Sequence, residues 1–157
     1  MIFDFIWVTQ ACPDSATFGQ RLTNYKQLVS KFVILDGEGS FCKSNWSIIK
    51  PHTDQIIIVN CVEYAKNLET LLNLGTKKAI REIISEIHEQ DLVILSNVTY
   101  LPPISAIHSK NQITDPLGIY EGTVLHAAII PITQLLKYSK PSELFNTKLL
   151  PLDTTTT

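Results

Sequence analysis

Two turns hold the side chains best suited to chemistry. The first is Asp36-Gly37-Glu38-Gly39, and the second begins at Asn60-Cys61 and reaches Glu63. Asp36, Glu38 and Glu63 offer carboxylates for proton transfer or for a cation, Cys61 offers a thiol, and Asn60 offers an amide that both donates and accepts. Each turn ends a short apolar run rich in β-branched residues, Phe32–Leu35 and Ile56–Val59. Uninterrupted runs of this length, bounded by turn residues, mark central strands of a parallel sheet. Ligands of open α/β sheets sit beyond the carboxyl ends of such strands, so the floor of a site is expected at Asp36–Ser40 and Asn60–Glu63.

Gly37 and Gly39 make a GxG directly after a strand. A dinucleotide fingerprint needs a third glycine where Cys42 stands, so a turn using glycine for positive φ is the simpler reading. The chain has no GxxxxGK[ST], which excludes a phosphate-binding loop of that form. His52, His88 and His108 lack HxxxH or HExxH spacing, and His88 reads as a solvated histidine near a helix end. A Cys–His nucleophile–base pair is a further reading, for example Cys61 just after the third strand with His126, and it requires a lowered thiol pKa.

The elements that position these turns follow from periodicity. Strands are expected at Ile2–Val8, Phe32–Leu35, Gln55–Val59 and Leu92–Leu95. Phe18, Leu22, Tyr25, Leu28 and Val29 predict a helix from Ser15 or Thr17 to Lys31, with Ser15 as its N-cap. Short helices are expected around Lys43–Ile49, ended by Pro51, and through Leu68, Leu71 and Leu72, closed by Asn73 or Gly75. Thr76 reads as the N-cap of a helix over Lys77–Glu89, striped by Ile80, Ile83, Ile84 and Ile87. Val98–Gly118 holds three prolines and reads as a long loop, and Pro131–Tyr138 as a final helix. The expected class is therefore α/β, three-layered, with a mainly parallel sheet flanked by helices. One domain is expected over residues 1–140, with 141–157 as a loose tail.

Composition narrows the function classes. Of 157 residues, 45% are hydrophobic and 18% charged, which is a globular composition. The net charge of −2 and the lack of a basic run argue against nucleic acid as a partner. Three scattered cysteines without a CxxC fit reduced thiols in the cytoplasm. The apolar start carries Asp4 and reads as a strand, and no run is long enough to span a membrane.

The segment I-W-V-T-Q-A-C-P-D-S-A-T-F-G-Q-R-L, followed by V-I-L-D-G-E-G-S and D-Q-I-I-I-V-N-C-V, resembles the hydrogenase maturation endopeptidases. These trim the C-terminus of the nickel–iron hydrogenase large subunit, and their strands end in G-N-x-L-x-x-D-[DE]-x-x-G, D-G-G-T-like and D-A signatures. Without gaps, Gln10 falls on the motif's asparagine, Gly19 on its closing glycine and Arg21 on an early helix arginine. V-L-H-A-A-I-I-P-I-T-Q-L-L-K-Y is similar to the family's late histidine segment and puts His126 on its metal-binding histidine. The resemblance implies a phosphorylase-like α/β fold and a nickel (or other divalent metal) clamp of Asp14, Asn60 and His126. In that clamp Asp14 stands one residue off register, Ser15 and Ala16 occupy the acidic positions, and Asn60 replaces an aspartate. Ser15, Asp36, Gly37, Glu38, Cys61 and Glu63 would line the site. Loss of anionic ligands weakens a divalent site. The resemblance therefore implies a protein- or peptide-binding or regulatory module related to these proteases, with the hydrogenase large subunit as the family's partner. An active metal-dependent endopeptidase is the alternative, and an unrelated small-molecule hydrolase or transferase on a similar sheet is a third.

Overall fold

The structure, a computed structural model, describes residues 1–9, 15–97, 101, 104 and 113–152. Its centre is a seven-stranded sheet in the order β3-β2-β1-β4-β6-β5-β7. The strands are β1 (Ile2–Val8), β2 (Lys31–Asp36), β3 (Ile56–Asn60), β4 (Leu92–Ser96), β5 (Leu117–Glu121), β6 (Val124–Pro131) and β7 (Leu150–Pro151). β1 to β4 are mutually parallel; β6 pairs antiparallel with β4 and with β5, and β7 joins β5 in parallel. The fold is thus a three-layer α/β fold with a mostly parallel sheet.

Strand alternation sorts the core into two faces. Phe3, Phe5, Trp7, Val33, Leu35, Val59, Val93 and Leu95 face one layer, and Ile6, Val8, Phe32, Ile34 and Ile94 face the other. The second face is covered by α1 (Ser15–Tyr25), α2 (Phe41–Ser44) and α3 (Trp46–Ile49), through Phe18, Leu22, Tyr25, Phe41 and Ile49. The first is covered by α4 (Leu68–Thr70), a π-turn (Leu71–Gly75) and α5 (Thr76–Ile83). β1→β2→β3 steps one way and β3→β4 returns past β1, so right-handed crossovers must put the helices on opposite faces.

Several expectations are corrected. α1 stops at Tyr25, not Lys31, because Lys31 must pair with Phe3 for β2 to register on β1. The turn is satisfied locally: Leu28 and Val29 N–H donate to the Tyr25 carbonyl, and the Gln55 amide donates to the carbonyls of Lys26 and Val29. Thr76 is not an N-cap. Helical backbone passes through Gly75 (φ −64°, ψ −42°) into α5, and a Cβ on Gly75 would meet Leu35 and Trp7 at 3.2 Å. Gly75 therefore permits close helix–sheet packing and does not end a helix. The cap of this segment is Asn67, whose Oδ1 accepts from Thr70 N–H at 2.8 Å. α5 also ends earlier than expected, at Ile83, followed by a single 3-10 turn over Ile84–Glu86.

The largest correction concerns the last third. Val124–Pro131 is a strand, and the only helix after it on the described residues up to Leu136 is the short α6 (Ile132–Leu135). β5 and β6 form a hairpin across Gly122-Thr123. Gly122 has φ +63° and Thr123 has no positive φ, the signature of a type II′ turn. Residues expected as a loose tail are packed: Leu144, Leu149 and Leu152 are buried, Pro141–Asn146 is a 3-10 helix, and β7 extends the sheet. The central part of the expected loop Val98–Gly118 lies outside the described residues; its end begins β5.

Across the middle of the sheet runs one buried ion pair. Arg21, 1% exposed, donates from Nε and Nη2 to both carboxylate oxygens of Asp4, at 3.0 and 2.5 Å, and from Nη2 to Ser96 Oγ at 3.0 Å. It ties α1 to β1 and β4.

Candidate functional site

The two turns singled out in the sequence lie at the carboxyl edge of the sheet, as parallel strands require, but their polar groups hold the backbone. Asp36 Oδ1 accepts from Glu38 N–H at 2.9 Å and Gly39 N–H at 2.8 Å, closing an Asx turn in which Gly39 has φ +83°. Gly37 is needed for a different reason: its N–H meets the Val8 carbonyl at 2.7 Å, and a Cβ there would lie 2.7 Å from the same oxygen. Asn60 Oδ1 accepts from Val62 N–H at 3.1 Å, and the Asn60 carbonyl accepts from Lys78 Nζ at 2.6 Å. Glu63 is exposed and pairs loosely with Lys78 at 3.7 Å, and Glu38 is half-buried.

The metal clamp is not assembled from these parts. β3 and β6 are separated by β2, β1 and β4. Four steps of about 4.8 Å put Asn60 roughly 19 Å from His126 along the edge. One ion cannot bridge ligands that far apart, and Asn60 Oδ1 already has its donor. Asp14 lies outside the described residues, as does the side chain of Ser15. Among the described residues no three His, Cys, Asp or Glu side chains are grouped to hold a metal. The residues therefore do not fit the nickel site that the family resemblance implies.

The Cys61–His126 pair fails on the same distance and on the thiol itself. Burial pushes the Cys61 thiol from 9.0 up to about 12, with Glu82, Asp36 and Glu63 adding to it against the pull of Lys78. Burial, then Asp36, raises Cys42 to about 11. Both are free thiols kept protonated at neutral pH. The unfolded chain ionises these thiols near pH 9, so their contribution to folding is complete below pH 9 and fades as pH rises toward 11 and 12. Iodoacetamide at neutral pH is expected to leave Cys42 and Cys61 unlabelled in the native protein and to label both in urea, read by peptide mass mapping. The urea midpoint is expected to fall above pH 9, with less slope in a Cys42→Ala/Cys61→Ala variant.

The crevice that the topology favours lies elsewhere on the edge. Strand order reverses between β1 and β4, and ligands of open sheets bind outside the carboxyl ends at such a switch point. Two residues beyond the last paired residues, Phe5 and Leu95, come Trp7 and Asn97. Asn97 N–H in turn donates to the His126 carbonyl at 3.2 Å. β5 pairs Ile119 with Ala127 and Tyr120 with Leu125, which leaves His126 as the extra residue of a β-bulge. Among the described residues these three neighbours each carry a buried polar atom without a protein partner: Trp7 Nε1, Asn97 Oδ1 and His126 Nδ1. Buried polar atoms are nearly always paired, so three orphans in one row single this place out as a candidate site.

A cavity of about 580 Å³ opens beside this row. Asn97 forms part of its wall, with Glu69 from α4 and Lys140, Ser142, Glu143 and Asn146 from the segment after α6; Leu72 and Phe145 supply apolar surface. The π-turn positions the far wall, since Asn73 Oδ1 accepts from Ser142 N–H at 2.8 Å. π-turns of this kind recur at functional sites. None of the residues expected to form a site lines this cleft; His126 lies one backbone hydrogen bond away, on Asn97. Asn97 was legible by the same strand-end logic that selected Asp36 and Asn60, because it follows the apolar run Leu92–Leu95. The wall over 140–146 carried no signal, since it is built by residues with no periodicity. His52 lies at the opposite edge, before β3, and His108 lies outside the described residues. Among the described residues no helix is long and apolar enough to cross a membrane. No family model and no characterised protein matches the chain.

Proposed function

We propose that this protein is a binding or regulatory module, related in layout to the hydrogenase maturation proteases, whose cleft at the ends of β1 and β4 holds a short polar segment of a partner protein. The observation that carries this reading is the row of unpartnered Trp7 Nε1, Asn97 Oδ1 and His126 Nδ1 atoms beside the 580 Å³ cavity. A peptide presents an amide donor and a carbonyl acceptor at every residue, which suits an indole N–H, an amide oxygen and the Asn and Ser side chains of the wall. Glu69 and Glu143 with Lys140 offer both charge signs to the flanking side chains. The altered ligand positions, Asn60 above all, support a module over a metal-dependent endopeptidase.

Co-expression with a nickel–iron hydrogenase large-subunit precursor tests it. A complex is expected in which the precursor keeps its full mass, and Asn97→Leu with Glu143→Ala is expected to weaken it about tenfold, the scale of one lost charge-assisted contact. Cleavage of the precursor would assign the endopeptidase reading. Absence of any complex would overturn the family-derived partner.

A further inference from the structure

A second cavity, of about 370 Å³, lies on the first core face, between α5 and the chain that leaves α6. Its floor is Ile80 and Leu135, its flank Ile84 and Leu136, which are 58% and 55% exposed. Lys77 and Arg81, one helical turn apart, both line it, and none of its lining residues is acidic. Thr76 lines it too; this residue is fully buried and its Oγ1 has no protein partner among the described residues. In most helices a buried threonine hydroxyl returns to a carbonyl of the preceding turn. Here the preceding turn is the π-turn Leu71–Gly75, and Oγ1 is left unpaired.

The parts specify a ligand class. An apolar body would cover the exposed Ile84 and Leu136 above the buried floor of Ile80 and Leu135, and exposure of the first two otherwise costs free energy. A single anionic head would meet two cations, and the orphan hydroxyl supplies a further hydrogen bond. The volume falls in the range of small-molecule sites, roughly 300–1,000 Å³. We propose that this groove binds a free carboxylic acid with an apolar tail, through Lys77, Arg81 and Thr76. The proposal is independent of the peptide reading of the cleft, because the two cavities share no lining residue.

The two sites are mechanically adjacent. Pro141 lines the groove and Ser142 lines the cleft, and Asn73 of the π-turn holds Ser142.

Octanoate, with octanol as its neutral counterpart, tests the groove by amide-shift titration of the full chain. Octanoate is expected to shift Thr76, Lys77, Ile80 and Leu135 saturably, and octanol to bind about tenfold more weakly. Two partly exposed cation contacts are worth about that factor. Lys77→Gln with Arg81→Gln is expected to reduce octanoate to the affinity of octanol and to leave octanol unchanged. Thr76→Val separates binding from folding. It removes a buried unpaired hydroxyl, so the melting temperature is expected to rise by about 2–4 °C while octanoate affinity falls. Equal binding of octanol and octanoate, shifts confined to other surfaces, or a groove closed by dimerisation in light scattering would each overturn the proposal.

Discussion

Arg21→Met is expected to destabilise the protein by about 3–5 kcal/mol, the scale for leaving one member of a buried ion pair without its partner. Asp4 has no exposed surface and sits mid-strand in β1, so no water can replace the guanidinium once it is gone. Arg21 also donates to Ser96 Oγ and, at 3.5 Å, to the Phe5 carbonyl, so the substitution orphans acceptors on both central strands. Against a typical total of about 5–15 kcal/mol, this is a large fraction of the fold's stability. The measurement is a urea titration in which the midpoint falls with an unchanged slope. Asp4→Leu combined with Arg21→Met is expected to recover most of the loss, because an apolar pair of similar volume avoids the desolvation that the charges incur. A single-variant loss below about 1 kcal/mol would show that the pair is not desolvated as its burial implies. Ser96→Ala, which removes one neutral partner, is expected to cost about 1 kcal/mol.

Gly37→Ala is the second large effect, expected at about 1–3 kcal/mol. The added Cβ would stand 2.7 Å from the Val8 carbonyl oxygen and 3.1 Å from Ala65 Cβ. The first of these is backbone, held in the β1–β2 ladder, and cannot swing away as a side chain would. The Gly37 N–H bond to Val8 would stretch, and the strain would reach the Asp36 turn and the Cys61 N–H that donates to the Asp36 carbonyl. Gly39→Ala acts differently. It keeps open space on one side and meets only Val62 Cγ2 at 3.2 Å, but it forces a non-glycine residue to φ +83°. That cost is about 1–2 kcal/mol. Thermal or urea unfolding of the two variants should therefore rank Gly37→Ala as the more damaging, and the reverse order would mean that β1 and β2 can part locally.

Several structural roles were visible as residue types without their partners. Asp4 in an apolar strand and Arg21 in an amphipathic helix each look out of place alone, and only their pairing across the β1–α1 layer explains both. The bulge at His126 is similar. The sequence offered no element for Val124–Ile130, and the turn at Gly122 with the long-range pairing of β6 with β4 makes it a strand. The tail over 141–152 has apolar residues at irregular intervals, and irregular spacing leaves no periodic signal even where Leu144, Leu149 and Leu152 are buried.

By itself the sequence determined the α/β class and the four parallel strands, because apolar runs and strand-ending turns are local properties. It also determined that Asp36-Gly37 and Asn60 close turns. Strand order was decided only in three dimensions. Three strands, and so four inter-strand steps of about 4.8 Å, separate Asn60 from His126, so residues that a linear motif brings together are kept roughly 19 Å apart. The same order sets Trp7, Asn97 and His126 side by side at the switch point, although about ninety and thirty residues of chain divide them. Proximity across a sheet depends on which strands pair, and pairing is chosen by the whole core.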